Sequence, residues 1–153
     1  MQTIGRLMLL SAITAGLVGC DPAVTLDARQ RIVPQVSVDC ARAALNSSPD
    51  LTWVSPPNRD AGWSLMLALR DTTPVGHLSQ AYLYHDPTGL WTLRFTWGGR
   101  LRPPPQREEL AVSGLAKRLF AQLRHACAPD AAEAIECIYP GTRKHVASCA
   151  PAT

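Results

Sequence analysis

The chain has 153 residues, a formal net charge of +3 and 13 prolines. So weak a positive balance argues against a nucleic-acid binder, and the prolines argue against a long coiled coil. Five cysteines in so short a chain make its redox compartment the first question.

Met1 to Arg6 carry one positive charge and no acid, and Leu7 to Gly19 carry no charge at all. A helix needs about 20 apolar residues to cross a bilayer, so this shorter run fits the apolar part of an export signal, with Arg6 as its basic flank. Its small residues lead straight into a cysteine. Leu17-Val18-Gly19-Cys20 resembles the lipobox of bacterial lipoproteins. The resemblance implies that residues 1–19 are a signal peptide removed before Cys20, whose sulfur receives diacylglycerol. Fatty acyl chains there, palmitate among them, would make attachment effectively permanent, since each buried methylene contributes about 0.8 kcal/mol. The implied location is the bacterial cell envelope, with the chain lipid-anchored to a membrane and its domain in the periplasm. Asp21 resembles the residue that retains such proteins at the inner membrane in enteric bacteria.

Residues 20–36 read as the lipidated cysteine and a tether. The stretch is polar and broken by Pro22 and Pro34, and the β-prone Ile32-Val33 and Val36-Ser37-Val38 offer at most an edge strand at its end. Residues 37–153 read as a single α+β domain. Val38 to Leu45 spaces Ala and Leu helically, with Asp39 as a possible N-cap. Four strand signals follow. Leu51 to Val54 is short, and Trp63 to Leu69 alternates strictly. Gln80 to His85 and Leu90 to Trp97 flank the turn Asp86-Pro87-Thr88-Gly89. In the last strand Trp91, Leu93, Phe95 and Trp97 share one face, and Thr92, Arg94 and Thr96 share the other. That is the pattern of an antiparallel sheet covered on one side.

Gln106 to Ala126 is the cover: a long proline-free stretch with Ala111, Leu115, Leu119 and Leu123 in one stripe, joined by Leu110 and Val112. Glu108 and Glu109 near its start and Arg124 and His125 near its end suit the helix dipole. An Ala-rich helix over Asp130 to Glu136 and a turn at Ile138 to Thr142 complete the expectation. The predicted fold is a four-stranded antiparallel sheet with two helices packed on one face, stapled by disulfides, with a disulfide-closed C-terminal tail.

Cys40, Cys127, Cys137 and Cys149 remain after Cys20, an even number in an exported chain, and read as two disulfides. No pair has C-x₂-C spacing and no His-x₃-His accompanies them, so neither a metal nor a cofactor is expected. If successive elements alternate in direction, Cys40 at the start of the first helix and Cys127 after the long one lie at the same end. That favours Cys40–Cys127, leaving Cys137–Cys149 to close the tail.

No hydrolase, zinc-protease, phosphate-loop or dinucleotide fingerprint is present, and the chain does not read as an enzyme. Ser113 and Lys117 are four apart on the long helix and read as part of its solvent face. His77, His85, His125 and His145 are scattered, with His85 in an ordinary surface position before the hairpin turn. Two features read as candidate surfaces. Tyr82 and Tyr84 alternate with Ala81 and Leu83, so one pair faces away from the helices; if it is the tyrosines, they join Arg94 in an aromatic and basic partner-binding patch. Arg143-Lys144-His145, inside the Cys137–Cys149 loop, is a basic segment suited to anionic headgroups. The expected role is a non-catalytic accessory or adaptor subunit that binds another envelope protein. The alternative is an inhibitor or immunity lipoprotein that neutralises a periplasmic toxin or hydrolase.

Overall fold

The structure is a computed structural model and describes residues 23–32, 36–59, 62–70, 78–146 and 149. Residues 1–19, expected to be a signal peptide, and Cys20, Asp21 and His77 lie outside these residues. In chain order the elements are β1 (Ala23–Arg31), α1 (Val38–Asn46), β2 (Leu51–Val54), β3 (Trp63–Leu69), β4 (Gln80–His85), β5 (Leu90–Gly98), α2 (Gln106–Cys127), β6 (Glu136–Tyr139) and β7 (Lys144–His145). Among the described residues the seven strands form one sheet in the order β2-β3-β4-β5-β1-β6-β7, every neighbouring pair antiparallel.

The four-stranded sheet expected from the sequence is therefore corrected to seven strands. The expected strands exist and pair in sequence order as β2 to β5, but they make only one part of the sheet. The rest begins with the segment read as a tether. Ala23 to Arg31 pairs with β5 along its whole length, from Ala23 opposite Gly98 to Arg31 opposite Leu90, and with β6 on its other side. It is an interior strand, not a leash. The physical reason is a period of two that the charges disguise: Leu26, Ala28 and Gln30 are buried, while Thr25, Asp27, Arg29 and Arg31 lie in the opposite row.

Gln30 stands in the inner row because two partners satisfy it there. Its amide nitrogen donates to the Ala132 carbonyl, and its oxygen accepts from Arg124 Nη1 at 3.3 Å. Arg124 also donates through Nη2 to Glu133 at 3.0 Å. This network holds residues 128–135 as an irregular crossing to β6, where the sequence predicts a helix over 130–136. A hydrogen-bonded carbonyl and a committed Glu133 outweigh the helical preference of a few alanines, which is weak in so short a segment.

Both helices lie over one face of the sheet, and their buried residues join Leu65, Leu67, Leu83, Leu93 and Phe95 in one core. The cap of α1 is Ser37, whose Oγ accepts from the Cys40 amide, while Asp39 sits in the first turn. In α2 the apolar stripe is buried as expected at Val112, Leu115, Leu119 and Leu123, but Leu110 is exposed and Ser113 is buried. Ser113 faces the core side with Ala116 and Phe120, so it does not share a solvent face with the exposed Lys117. The disulfides pair as the ordering argument predicts: Cys40 with Cys127, Cα atoms 6.0 Å apart, and Cys137 with Cys149, 5.3 Å apart. The first joins the start of α1 to the end of α2; the second ties Cys149 to β6.

At the β4–β5 hairpin Asp86 Oδ1 accepts from the Thr88 hydroxyl, the Thr88 amide and the Leu90 amide, which lowers its pKa. Gly62 allows the chain to pass this hairpin closely. It has φ 120°, and a Cβ would stand 2.3 Å from the His85 carbonyl oxygen. His85 itself is buried, which corrects the surface role expected of it. Its ring stacks on Trp63 at 4.9 Å and meets Trp91 edge-on at 5.4 Å. Burial holds its pKa below the ordinary 6.5, against an upward pull from the Asp86 carboxylate.

At mildly acidic pH the folded state thus binds fewer protons at His85 than the unfolded chain, so this contribution is complete above about pH 6.5 and declines as pH falls through that value. Melting temperature is expected to fall between about pH 7 and pH 5, and His85→Phe to flatten the fall. A His85→Phe protein that keeps the original slope would locate the titration in another group.

Candidate functional site

Among the described residues no helix covers the face of the sheet opposite α1 and α2, and alternation decides what that face carries. On β4, Ala81 and Leu83 are fully buried, so Tyr82 and Tyr84 point outward. On β5, Leu93 and Phe95 face the core and Arg94 faces out, directly opposite Tyr82 in the pairing of β4 with β5. The three residues expected to form a patch are thus brought together. The tyrosine rings lie 6.2 Å apart, and the Arg94 guanidinium carbon sits 5.3 Å from the Tyr84 ring centroid. Tyr84 is 36% exposed. At the β2 edge Trp53, 48% exposed, pairs with Ala68 across an irregularity in the β2–β3 ladder. The shift leaves both Thr52 and Trp53 exposed between the buried Leu51 and Val54.

Arg94 is less available than the sequence suggests. Asp27, opposite it on β1, is 0% exposed although it belongs to the open face. Its carboxylate receives a fork from Arg94, Nε to Oδ1 at 2.8 Å and Nη2 to Oδ2 at 2.9 Å, and a third bond from Arg29 Nη2 at 3.1 Å. Two parallel N–H···O bonds are the strong, planar form of this pairing. They raise the Arg94 pKa above its already high ordinary value. The guanidinium therefore covers a buried acid on one side and one tyrosine ring on another. Sequence reasoning missed Asp27 because β1 was read as a tether; the signal was the D-x-R-x-R alternation at 27, 29 and 31.

Further along the same face, His145 Nδ1 on β7 lies 3.1 Å from Glu136 Oε1 on β6. Arg29, Arg143, Ile138 and this pair border an open cleft of about 330 Å³. A larger open cleft, about 520 Å³, lies where β1 begins, bordered by Val24, Thr25, Arg94, Leu101, Pro103 and Thr142. Behind it Tyr139 is buried; its hydroxyl donates to Glu109 Oε2 at 2.7 Å, and burial together with that carboxylate raises its pKa. Lys144 and His145, with Arg143 at φ 54°, form the exposed basic segment expected at the tail.

Among the described residues no group of three or more His, Cys, Asp or Glu side chains could hold a metal ion, and no helix is long and apolar enough to cross a membrane. Comparison of the chain with protein-family models, with curated proteins and with solved structures gave no match.

Arg94→Ala leaves a buried carboxylate whose one remaining ion-pair partner among the described residues is Arg29. Removing one member of a buried pair costs about 3–5 kcal/mol; with Arg29 retained and Arg94 partly in solvent, the lower end, about 3 kcal/mol, is expected in chemical denaturation. Adding Asp27→Ala removes the stranded charge and should recover part of that loss. A double variant no more stable than Arg94→Ala alone would contradict the coupling.

Proposed function

We propose that this chain is a lipid-anchored bacterial lipoprotein whose domain stands in the periplasm and serves as a non-catalytic accessory or adaptor subunit, holding another envelope protein on the open face of its sheet. The anchor in this reading is Cys20, and the observation that carries the binding role is the placement of Tyr82 and Tyr84 side by side on the uncovered face. Tyrosines there offer a large apolar surface with a polar tip at small cost in conformational freedom, which is why such residues are common at interface centres. Arg94 supports the patch by holding its place. Fixed by Asp27, it gives Tyr84 a flat cationic neighbour, an arrangement worth about 0.5–1 kcal/mol at an exposed site.

The acid at the centre of the face favours holding over chemistry. Asp27 is enclosed by two arginines and Glu136 is paired with His145. Asp27 has no exposed surface and is closed to a bound molecule, while Glu136 and His145 form an exposed pair further along the same face. Residues of the Cys137–Cys149 segment extend the same face and enlarge the area a partner can cover.

A photoreactive amino acid at position 84, in living bacteria expressing the full chain, is expected to give one discrete crosslinked product containing an envelope protein. The same probe in place of Ala121, exposed on α2, should give none. Tyr82→Ala with Tyr84→Ala should abolish the product formed by a probe at Trp53 while changing stability by only about 1 kcal/mol. Crosslinking at 121 but not at 84 would move the partner to the helical side.

A further inference from the structure

An interior β1 leaves an anchor at Cys20 almost no slack. Only Asp21 and Pro22 separate that residue from Ala23, the first residue of β1. Even fully extended, three residues span about 10 Å. The start of β1 is thus confined to the immediate neighbourhood of the lipid headgroups, and whatever surrounds Ala23 is confined with it.

Two segments surround it. Ala23 pairs with Gly98, the last residue of β5, so the loop from Gly99 to Pro105 emerges beside it. The turn from Pro140 to Arg143 joins β6 to β7 at the same end, and Pro140, Gly141 and Thr142 border one cleft with Ala23, Leu101 and Pro103. Leu101 is 85% exposed. One exposed leucine is ordinary by itself, but this one lies between Arg100 and Arg102 at the end of the domain nearest the proposed anchor. Of the acids here that the structure describes, Glu108 pairs with Arg100 at 3.4 Å and Glu109 accepts from Tyr139. Arg102, Arg107 and Arg143 are exposed and make no ion pair among the described residues.

We propose that this end is a membrane-contact surface, on which the domain rests directly against a bilayer of anionic lipids, with Leu101 at headgroup depth and Arg102, Arg107 and Arg143 against lipid phosphates. The inference rests on the lipoprotein reading of Cys20. It deepens that reading by fixing an orientation: the strands stand upright, the β4–β5 turn is about 30 Å above the headgroups, and the tyrosine face looks sideways along the membrane. Basic side chains beside an anionic surface attract it within about a Debye length, roughly 8–10 Å, which is the reach that the short connection imposes.

The test uses the chain expressed in full in bacteria, purified from their membranes and placed in nanodiscs of phosphatidylethanolamine and phosphatidylglycerol that carry a gadolinium-chelating lipid, with amide NMR intensities as the readout. Signals at 99–102 and 141–143 are expected to be attenuated, and those at 82–84 and 88–90 retained. Leu101→Asp with Arg102→Glu should restore the attenuated signals towards the level of the remainder. Uniform attenuation, or selective attenuation at 88–90, overturns the proposal. Mass spectrometry of the same sample separates the two levels of failure. Acylated Cys20 with uniform attenuation overturns the contact surface alone, whereas a chain without acyl mass overturns the lipoprotein reading and the contact surface together.

Discussion

A buried carboxylate in the middle of the sheet is the constraint on which the rest of this fold depends. Asp27 has no exposed surface and satisfies both its oxygens with Arg94 and Arg29. A charge so placed is tolerable only if its partners are held, because desolvating a carboxylate costs several kcal/mol unless opposing charge and hydrogen bonds offset it. Arg94 can reach it only when β1 pairs with β5 in the observed register; a slip by one residue would put Asp27 into the apolar core. The ion pair therefore specifies register more than it adds stability. Once β1 is fixed, β6 can pair on its far side, the disulfide at Cys137 has its location, and the open face acquires a rigid centre.

That rigidity shapes the proposed binding face. Arg94 is locked between Asp27 and the Tyr84 ring, so the patch is ordered before any partner arrives, which reduces the entropy lost on association. The same strand that fixes the patch also begins three residues after the proposed lipid site. Anchor, orientation and binding face are thus linked through one strand. A long leash would let the domain sample many orientations, while a short one presents a single face along the membrane.

What could be read from the sequence follows a physical line. Elements with a strong period were legible almost to the residue: Trp63–Leu69, Gln80–His85, Leu90–Gly98 and α2 each carry an unbroken apolar row at the spacing of their element. The cysteine pairing followed because alternating directions placed Cys40 and Cys127 at one end. β1 was not legible by the same rule. Its inner row contains Ala28 and Gln30, and its outer row three charges, so its hydrophobic contrast is small. Gln30 is buried only because Arg124 and Ala132, about a hundred residues later, satisfy it. No local pattern encodes a partner so remote. Ser113 and His85 misled for a related reason: each is a polar type whose burial depends on tertiary neighbours. The tyrosine patch could be located as one of two alternatives, but Asp27 became visible only with β1 in place.

Register, ordered patch and upright orientation all require β1 to be an interior strand locked in the sheet, and amide hydrogen exchange of the mature chain measures that directly. The amides of Leu26 and Ala28 are expected to exchange in the slowest class, with those of Leu93 and Phe95 on β5, because opening them requires global unfolding. Arg94→Ala should speed all four together. If Leu26 and Ala28 instead exchange at the rate of an unstructured chain while Leu93 and Phe95 remain protected, the segment is a tether after all, and the register, the ordered patch and the upright orientation are contradicted together.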